Sequence, residues 1–216
     1  MSNATNIIER LIPGVNRRYG SSSSALRQHL VRYRLAAAYV QRGQSVLDAA
    51  SGSGYGSMLL AAAGGDVVAV DRDATAIRHG RRFYGHPSIR WIRADLEEWA
   101  AGRLRLRGCQ ALEFHRVVSL ETIEHVRDPL ALLQAFRGHL RRDGALICSV
   151  PIVDSMHFDP YHKHDFSEES FTTLLRDSGF HVVDRLVQED TFLTVVARWT
   201  DEADLEGAPV PRRRQR

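Results

Sequence analysis

The chain has 216 residues and a formal net charge of +3, with 44% hydrophobic and 25% charged residues. Those proportions suit one globular domain with a sizeable core and exclude a disordered chain. Only Lys163 among the 29 basic residues is a lysine, so the pI of about 9.1 reads as arginine-rich codon usage, too mild to imply a nucleic-acid partner.

Residues 1–20 hold a short apolar patch (Ile7, Ile8, Leu11, Ile12) and then Pro13-Gly14. They lack the apolar core of a secretory signal, and no run approaches the roughly 20 apolar residues of a membrane span, so a cytoplasmic protein without membrane segments is expected. Ser21–Ser24 reads as a polar loop. Leu26, Leu30, Tyr33, Ala37 and Val40 recur at helical spacing, and Gly43 ends that helix. Ser45–Ala50 reads as a strand running into the glycine loop Ser51–Gly56. The pattern then predicts a helix over Ser57–Ala63, a strand over Val67–Val70, a helix over Ala74–Phe83, a strand over Ile89–Arg93 and a helix over Leu96–Ala101. It continues with a strand over Arg116–Leu120, a helix over Pro129–Leu140, a turn over Arg141–Gly144, a strand over Ala145–Val150 and a helix over Ser167–Ser178. Ser167 is placed to cap that last helix. His181–Leu186 and Phe192–Trp199 read as two strands joined in a hairpin.

Alternation from about residue 45 to 180 predicts an α/β fold with a doubly wound, mainly parallel sheet and a terminal antiparallel hairpin. One domain over residues 29–200 is expected, with an N-terminal extension over 1–28 and a flexible basic tail over 201–216. Arg212 to Arg216 follow Pro209 and Pro211 and read as a solvated end. Cys109 and Cys148 are far apart, which argues against a disulfide framework and against a cysteine zinc site.

The first strand and its turn read Val46-Leu47-Asp48-Ala49-Ala50-Ser51-Gly52-Ser53-Gly54-Tyr55-Gly56. Glycines there let backbone approach a ligand at the carboxyl edge of the sheet. The spacing differs from the dinucleotide fingerprint, and Asp48 would repel a pyrophosphate, so a ligand with a positive group is expected. Asp71 ends the second strand, 19 residues after Gly52, where an acid takes ribose hydroxyls. Asp95 follows the third strand and can accept from an exocyclic amine.

VLDAASGSGYG, VVAVDRD, IRADLEEW, VVSLETIEHVRDP and LRRDGALICSVP occur here in the order found in class I S-adenosylmethionine-dependent methyltransferases, which the chain resembles over about residues 29–199. The resemblance implies a seven-stranded sheet with a reversed last strand and S-adenosylmethionine as cofactor. It implies that Ser51, Gly52, Ser53 and Gly54 border the methionine moiety, with Asp48 on its amino group. Asp71, followed by Arg72, would take the ribose. Asp95 and Leu96 would take the adenine, with Leu120 at the end of the fourth strand. Arg32 or Arg34, in the preceding helix, could reach the cofactor carboxylate; a solvated helix face is the reading preferred for both.

After the fourth strand comes Glu121-Thr122-Ile123-Glu124-His125. A helical turn there sets Glu121, Glu124 and His125 on one face, at i, i+3 and i+4. Such a face can bind a divalent ion through oxygen and nitrogen, or let His125 act as general base. Downstream, His157, His162 and His164 crowd a loop after the fifth strand, with Asp159 and Asp165. This part resembles two groups, the ubiquinone-biosynthesis O-methyltransferases and the small-RNA 2′-O-methyltransferases. The RNA group implies a metal such as Mg²⁺ on Glu121, Glu124, His125 and His162, with His164 able to replace His162. The expected activity is methyl transfer from S-adenosylmethionine to an oxygen of a small acceptor, a sugar or phenol. N-methylation, RNA 2′-O-methylation and a non-catalytic cofactor-binding partner are the alternatives. The oligomeric state is left open.

Overall fold

Val46–Ala49, Val67–Asp71 and Val117–Leu120 are buried without interruption, as strands covered by helices on both faces must be. In the computed structural model, which describes residues 22–106, 113–156, 159–199 and 212–215, these runs are the inner strands of one twisted sheet. The elements in chain order are α1 (Ser22–Ala38), β1 (Ser45–Ala49), α2 (Tyr55–Ala62), β2 (Asp66–Asp71), α3 (Ala74–Phe83), β3 (Ile89–Arg93) and α4 (Leu96–Ala100). They continue with β4 (Phe114–Leu120), a 3₁₀ turn (Ile123–His125), α5 (Pro129–Gly138), β5 (Leu140–Pro151), α6 (Glu168–Asp177), β6 (Phe180–Gln188), β7 (Phe192–Trp199) and β8 (Arg212–Gln215).

The strand order is β3-β2-β1-β4-β5-β7-β6-β8. The first five strands pair in parallel, and β7 runs antiparallel to both β5 and β6. The sheet is the doubly wound, mainly parallel one with a terminal hairpin that the alternation predicts. Its order reverses between β1 and β4, and at such a switch point the loops leave in opposite directions and open a crevice. One face packs Trp99, Leu133, Phe136, Phe171 and Leu175 against the sheet, and the other packs Tyr33, Leu60, Ile77 and Trp91. Side chains close the helix starts: Asp73 on α3, Asp95 on α4, Asp128 on α5, and Ser167 with Ser170 in a reciprocal box on α6.

The structure departs most from the predicted elements at α1, β5 and the segment Arg212–Gln215. Helix α1 begins at Ser22, inside the expected loop, because a first turn has free N–H groups and tolerates serine. The predicted domain start at residue 29 therefore falls within α1. Strand β5 begins at Leu140 and absorbs the expected turn Arg141–Gly144, since Leu140 pairs with Phe114 and a register shift before Arg116 takes up the extra length. Arg212–Gln215 is an eighth strand, parallel to β6, where a solvated tail was expected. The strand covers an edge that would leave N–H and C=O groups unpaired, and Arg213 meets the buried Asp184 at 2.8 Å. Cys148 is buried within β5, which pushes its thiol up out of the usual range, whereas Cys109 and the 1–20 segment lie outside the described residues. No described helix is long and apolar enough to cross a membrane.

Candidate functional site

Both strands that flank the switch point end in a non-glycine residue with left-handed backbone. Ala50 follows β1 with φ of 65°, and Glu121 follows β4 with φ of 51°. That conformation costs free energy for an L-residue, and its occurrence on both sides of one crevice marks a built site. Between them opens a cavity of about 320 Å³. Its walls come from α1 (Ala25, Gln28, His29, Arg32), the loop after β1 (Ala50–Ser53, then Tyr55) and the ends of β2 and β3 (Asp71, Arg72, Ala94–Glu97). The end of β4 (Leu120–Thr122, His125, Val126) and Phe192 complete it.

Asp71 does two jobs by position. Its Oδ2 accepts from the Gly52 N–H at 2.9 Å and its Oδ1 from the Asp73 N–H at 2.8 Å, so it ties down the glycine loop while facing the cavity. A carboxylate has about four lone-pair sites, so an acid here can serve the loop and a ligand together. Asp95 caps α4 through Oδ1, which accepts from Glu97 and Glu98, and also lines the cavity. Ser51, Gly52, Ser53, Arg72, Leu96 and Leu120 line it as well.

Two expected cofactor residues lie elsewhere. Asp48 is fully buried behind the wall, not on it, and its oxygens take the Tyr33 hydroxyl at 3.0 Å and the Ser57 hydroxyl at 2.6 Å. Burial raises its pKa to about 6, against the pull of those two hydroxyls. Gly54 is not a lining residue either. It stands at the start of α2 with φ of 96°, and a Cβ there would sit 2.4 Å from the Trp91 ring. Its glycine serves packing of the loop on β3.

Arg32 reverses the expectation of a solvated face, which holds for the exposed Arg34 alone. Arg32 is 3% exposed, its guanidinium lies over the Phe192 ring 4.4 Å from the centroid, and its Nη1 donates to Gln188 at 3.2 Å. Beside it His29 Nδ1 meets the Tyr55 hydroxyl at 2.5 Å. Burial, helped by the Arg32 charge, drives the His29 pKa down to about 3, so the imidazole is neutral. Ala25, His29 and Arg32 fall on one stripe of α1 at helical spacing. A polar pair on an otherwise apolar stripe was the available signal for His29 and Arg32. Tyr55, Thr122, Val126 and Phe192 carried none.

At the other end the 3₁₀ turn carries His125 into the cavity and buries Glu124 completely. The segment after β5 lies across this turn. Lys163 N–H donates to the Glu124 carbonyl at 2.8 Å, and the His125 Nδ1 lies 3.2 Å from the Tyr161 carbonyl. A carbonyl only accepts, so this contact puts the ring proton on Nδ1 and leaves Nε2 as acceptor. The His125 and His162 rings meet edge to face at 4.6 Å. Burial, then the His125 charge, lowers the His162 pKa. Both Glu124 carboxyl oxygens are buried without a hydrogen-bond partner, and burial with the nearby Glu121 charge raises its pKa well above the carboxylate range.

One ligand atom each from Glu124, His125 and His162 lie within 4.8 Å of one another. Glu121 is not in that group: its Oε1 accepts from the Ser149 hydroxyl at 2.6 Å and faces Arg32 at 4.0 Å. The left-handed backbone at Glu121 aims it there, off the face that ideal helical spacing predicts. His164 turns to the Val126 carbonyl at 3.0 Å, which leaves His162 as the loop's contribution; His157 lies outside the described residues.

A family model described as a methyltransferase domain matches residues 23–185. A protein of Mycobacterium tuberculosis (strain H37Rv) named "Probable S-adenosylmethionine-dependent methyltransferase" is 35% identical over 161 residues, which is 71% of this chain and 54% of that one. The ubiquinone biosynthesis O-methyltransferase of Haemophilus ducreyi is 27% identical, over 76% of this chain and 66% of that one. The chain thus spans about half the length of the mycobacterial relative it matches. Among solved structures, the N-methyltransferase NodS of Bradyrhizobium japonicum in complex with S-adenosyl-L-homocysteine superposes with a TM-score of 0.69 at 16% identity, covering 91% of this chain and 97% of that one. That likeness concerns the fold.

Proposed function

The chain belongs to the methyltransferase-domain family, and from that membership we propose that it moves the methyl group of S-adenosylmethionine to a hydroxyl oxygen of a small acceptor, of sugar or phenol type. The cavity residues fit that cofactor. Buried polar atoms around the cavity lack partners (Ser51 Oγ and Arg32 Nε), which a polar ligand would supply. Asp71, beside Arg72, would accept from the ribose hydroxyls. Asp95 and Leu96 would flank the adenine, with Leu120 beneath. The loop Ser51–Ser53 would follow the methionine chain, and Arg32 would receive its carboxylate through a planar fork. When bound, the cofactor supplies an electrophilic methyl on a sulfonium sulfur.

The single observation that carries the chemistry is His125, which lines the cavity with Nδ1 tied to a backbone carbonyl. Its Nε2 lone pair would take the hydroxyl proton as the oxygen attacks the methyl carbon and the carbon–sulfur bond breaks. The protein otherwise acts by alignment and by excluding water. A second reading rests on one other observation, the buried and unpartnered Glu124 carboxyl beside two imidazoles. Glu124, His125 and His162 would then hold a divalent ion such as Mg²⁺ or a transition metal, which would lower the pKa of an acceptor hydroxyl. Glu121 drops out of that ligand set.

Methyl-labelled S-adenosylmethionine offered with a panel of sugars and phenols tests the proposal. Label is expected on a hydroxyl oxygen, and His125→Ala should lower the rate by roughly 10²–10⁴-fold with S-adenosylhomocysteine binding unchanged. Full turnover in excess chelator supports the base. Loss with chelator, recovery with Mg²⁺ and an equal loss in Glu124→Ala support the ion. Label found only on an amine nitrogen, or on none of the panel, would contradict O-methylation of a small hydroxyl acceptor.

A further inference from the structure

Arg32 is held by two residues of the terminal hairpin, 156 and 160 positions later in the chain. Its Nη1 donates to Gln188 Oε1 at 3.2 Å, and its guanidinium lies over Phe192. The same Gln188 amide donates through Nε2 to the carbonyl of Gln28, one turn earlier in α1, at 3.3 Å. Gln188 and Phe192 are register partners across the β6–β7 hairpin, so acceptor and ring sit on one rung. Gln188 is 2% exposed and is not among the cavity-lining residues, whereas Gln28, Arg32 and Phe192 are.

The direction of Arg32 matters because a rival partner is near. Its buried Nε has no hydrogen-bond partner, and the Glu121 carboxylate stands 4.0 Å away, too far for a hydrogen bond. A free arginine side chain carries about 2 kcal/mol of rotamer entropy. Without a fixed acceptor it would close on Glu121 and turn its fork from the cavity. With Gln188 in place the guanidinium is preorganised and one N–H edge is left for a ligand carboxylate.

We infer that Gln188 is a positioning residue for the carboxylate end of the cofactor site: it holds Arg32 toward the cavity and away from Glu121, and so links the terminal hairpin to cofactor affinity. The inference rests on the S-adenosylmethionine reading of the cavity given above. It concerns a residue that touches no ligand, so its signature is selectivity between ligands, not loss of binding as such.

Calorimetry with two ligands separates these. S-adenosylhomocysteine carries the carboxylate; its decarboxylated analogue keeps the adenosine, sulfur and amino group but lacks it. Gln188→Met keeps length and volume and removes the amide. It is expected to bind S-adenosylhomocysteine about 10-fold more weakly and the decarboxylated analogue within about two-fold of wild type. Arg32→Ala should show the same selective loss or more, and the double variant should be no weaker than Arg32→Ala alone, because Gln188 acts through Arg32. Gln188→Asn keeps a buried amide and withdraws it by one methylene; it should show a smaller loss with the same selectivity, and it serves if the methionine variant does not fold. Equal losses on both ligands, no loss on either, or additive losses in the double variant would overturn the role of Gln188. If Arg32→Ala itself binds both ligands in the wild-type ratio, the carboxylate assignment to Arg32 fails with it. The wider reading of the cavity would still be tested through Asp71.

Discussion

Asp48 is an ionisable group whose charge the fold opposes. Its folded pKa of about 6 lies above the ordinary value of 3.8, mainly through burial. Between those values the unfolded chain releases a proton that the folded chain keeps, so stability falls as pH rises from about 4 to about 6 and then levels off. Asp48→Asn keeps one oxygen to accept from one of the two hydroxyls and turns an N–H toward the other, which then accepts, and it has nothing to ionise. Urea denaturation across pH 4–8 is expected to show the variant gaining on wild type through that window, by about 1–3 kcal/mol in all. A stability difference that does not change with pH would mean that Asp48 ionises freely in the fold. Asp48 also marks a limit of reading from sequence. An acid just before a glycine loop looks like a ligand contact, but Asp48 pairs with Ala69 and so lies two residues deeper in the sheet than Asp71 on the same face, and only the tertiary partners Tyr33 and Ser57 reveal that it is enclosed there. Arg32 errs the other way. Arginines on an amphipathic helix usually solvate it, and the one local mark on Arg32, its place beside His29 on an otherwise apolar stripe, does not show that the distant hairpin buries it. That Asp71, Asp95 and His125 line one cavity was legible because segments that follow strand ends at a parallel sheet's carboxyl edge share that edge.

At the scale of the elements, the loop between β1 and α2 is shaped by what packs behind it. Gly54 combines a left-handed φ with a Cβ position 2.4 Å from Trp91 and 3.0 Å from the Gly80 backbone. Gly54→Ala therefore adds strain and overpacking together, and should cost about 2–4 kcal/mol by urea denaturation while displacing Ser51–Ser53 and weakening S-adenosylhomocysteine binding. An unchanged denaturation midpoint would show that β3 yields easily there. Apolar runs and glycine stops located the elements well: α3, β3 and β7 begin and end where the pattern puts them. The misread elements depend on pairing partners far away in sequence. Arg141–Gly144 has turn composition, yet pairing of Leu140 with Phe114 carries it as strand. The Glu121–His125 segment looks helical, yet a left-handed Glu121 and a single 3₁₀ turn send Glu121 toward Arg32 and Glu124 inward.

Across the whole molecule, the two ends of the chain serve different purposes. Helix α1 lends Ala25, Gln28, His29 and Arg32 to the cavity, so it is part of the site. Strand β8 covers the β6 edge. A chain ending at Trp199 is expected to bind S-adenosylhomocysteine within about two-fold of the full chain, because among the described residues none that lines the cavity lies beyond Phe192. It should lose at most about 1–2 kcal/mol, since Arg213 is 61% exposed and its pairing with Asp184 is screened. By light scattering it should associate more at high concentration through the bared edge. Unchanged association would remove that role from β8. The architecture as a whole places three strand ends, the β4 turn and α1 around one cavity, and the central claim is that this cavity takes S-adenosylmethionine. Calorimetric titration with S-adenosylhomocysteine tests it most directly: one site per chain is expected for wild type, and Asp71→Ala, which removes the proposed acceptor of the ribose hydroxyls, should weaken it by about 2 kcal/mol. No binding to the wild type, or equal affinity in the two proteins, would contradict it.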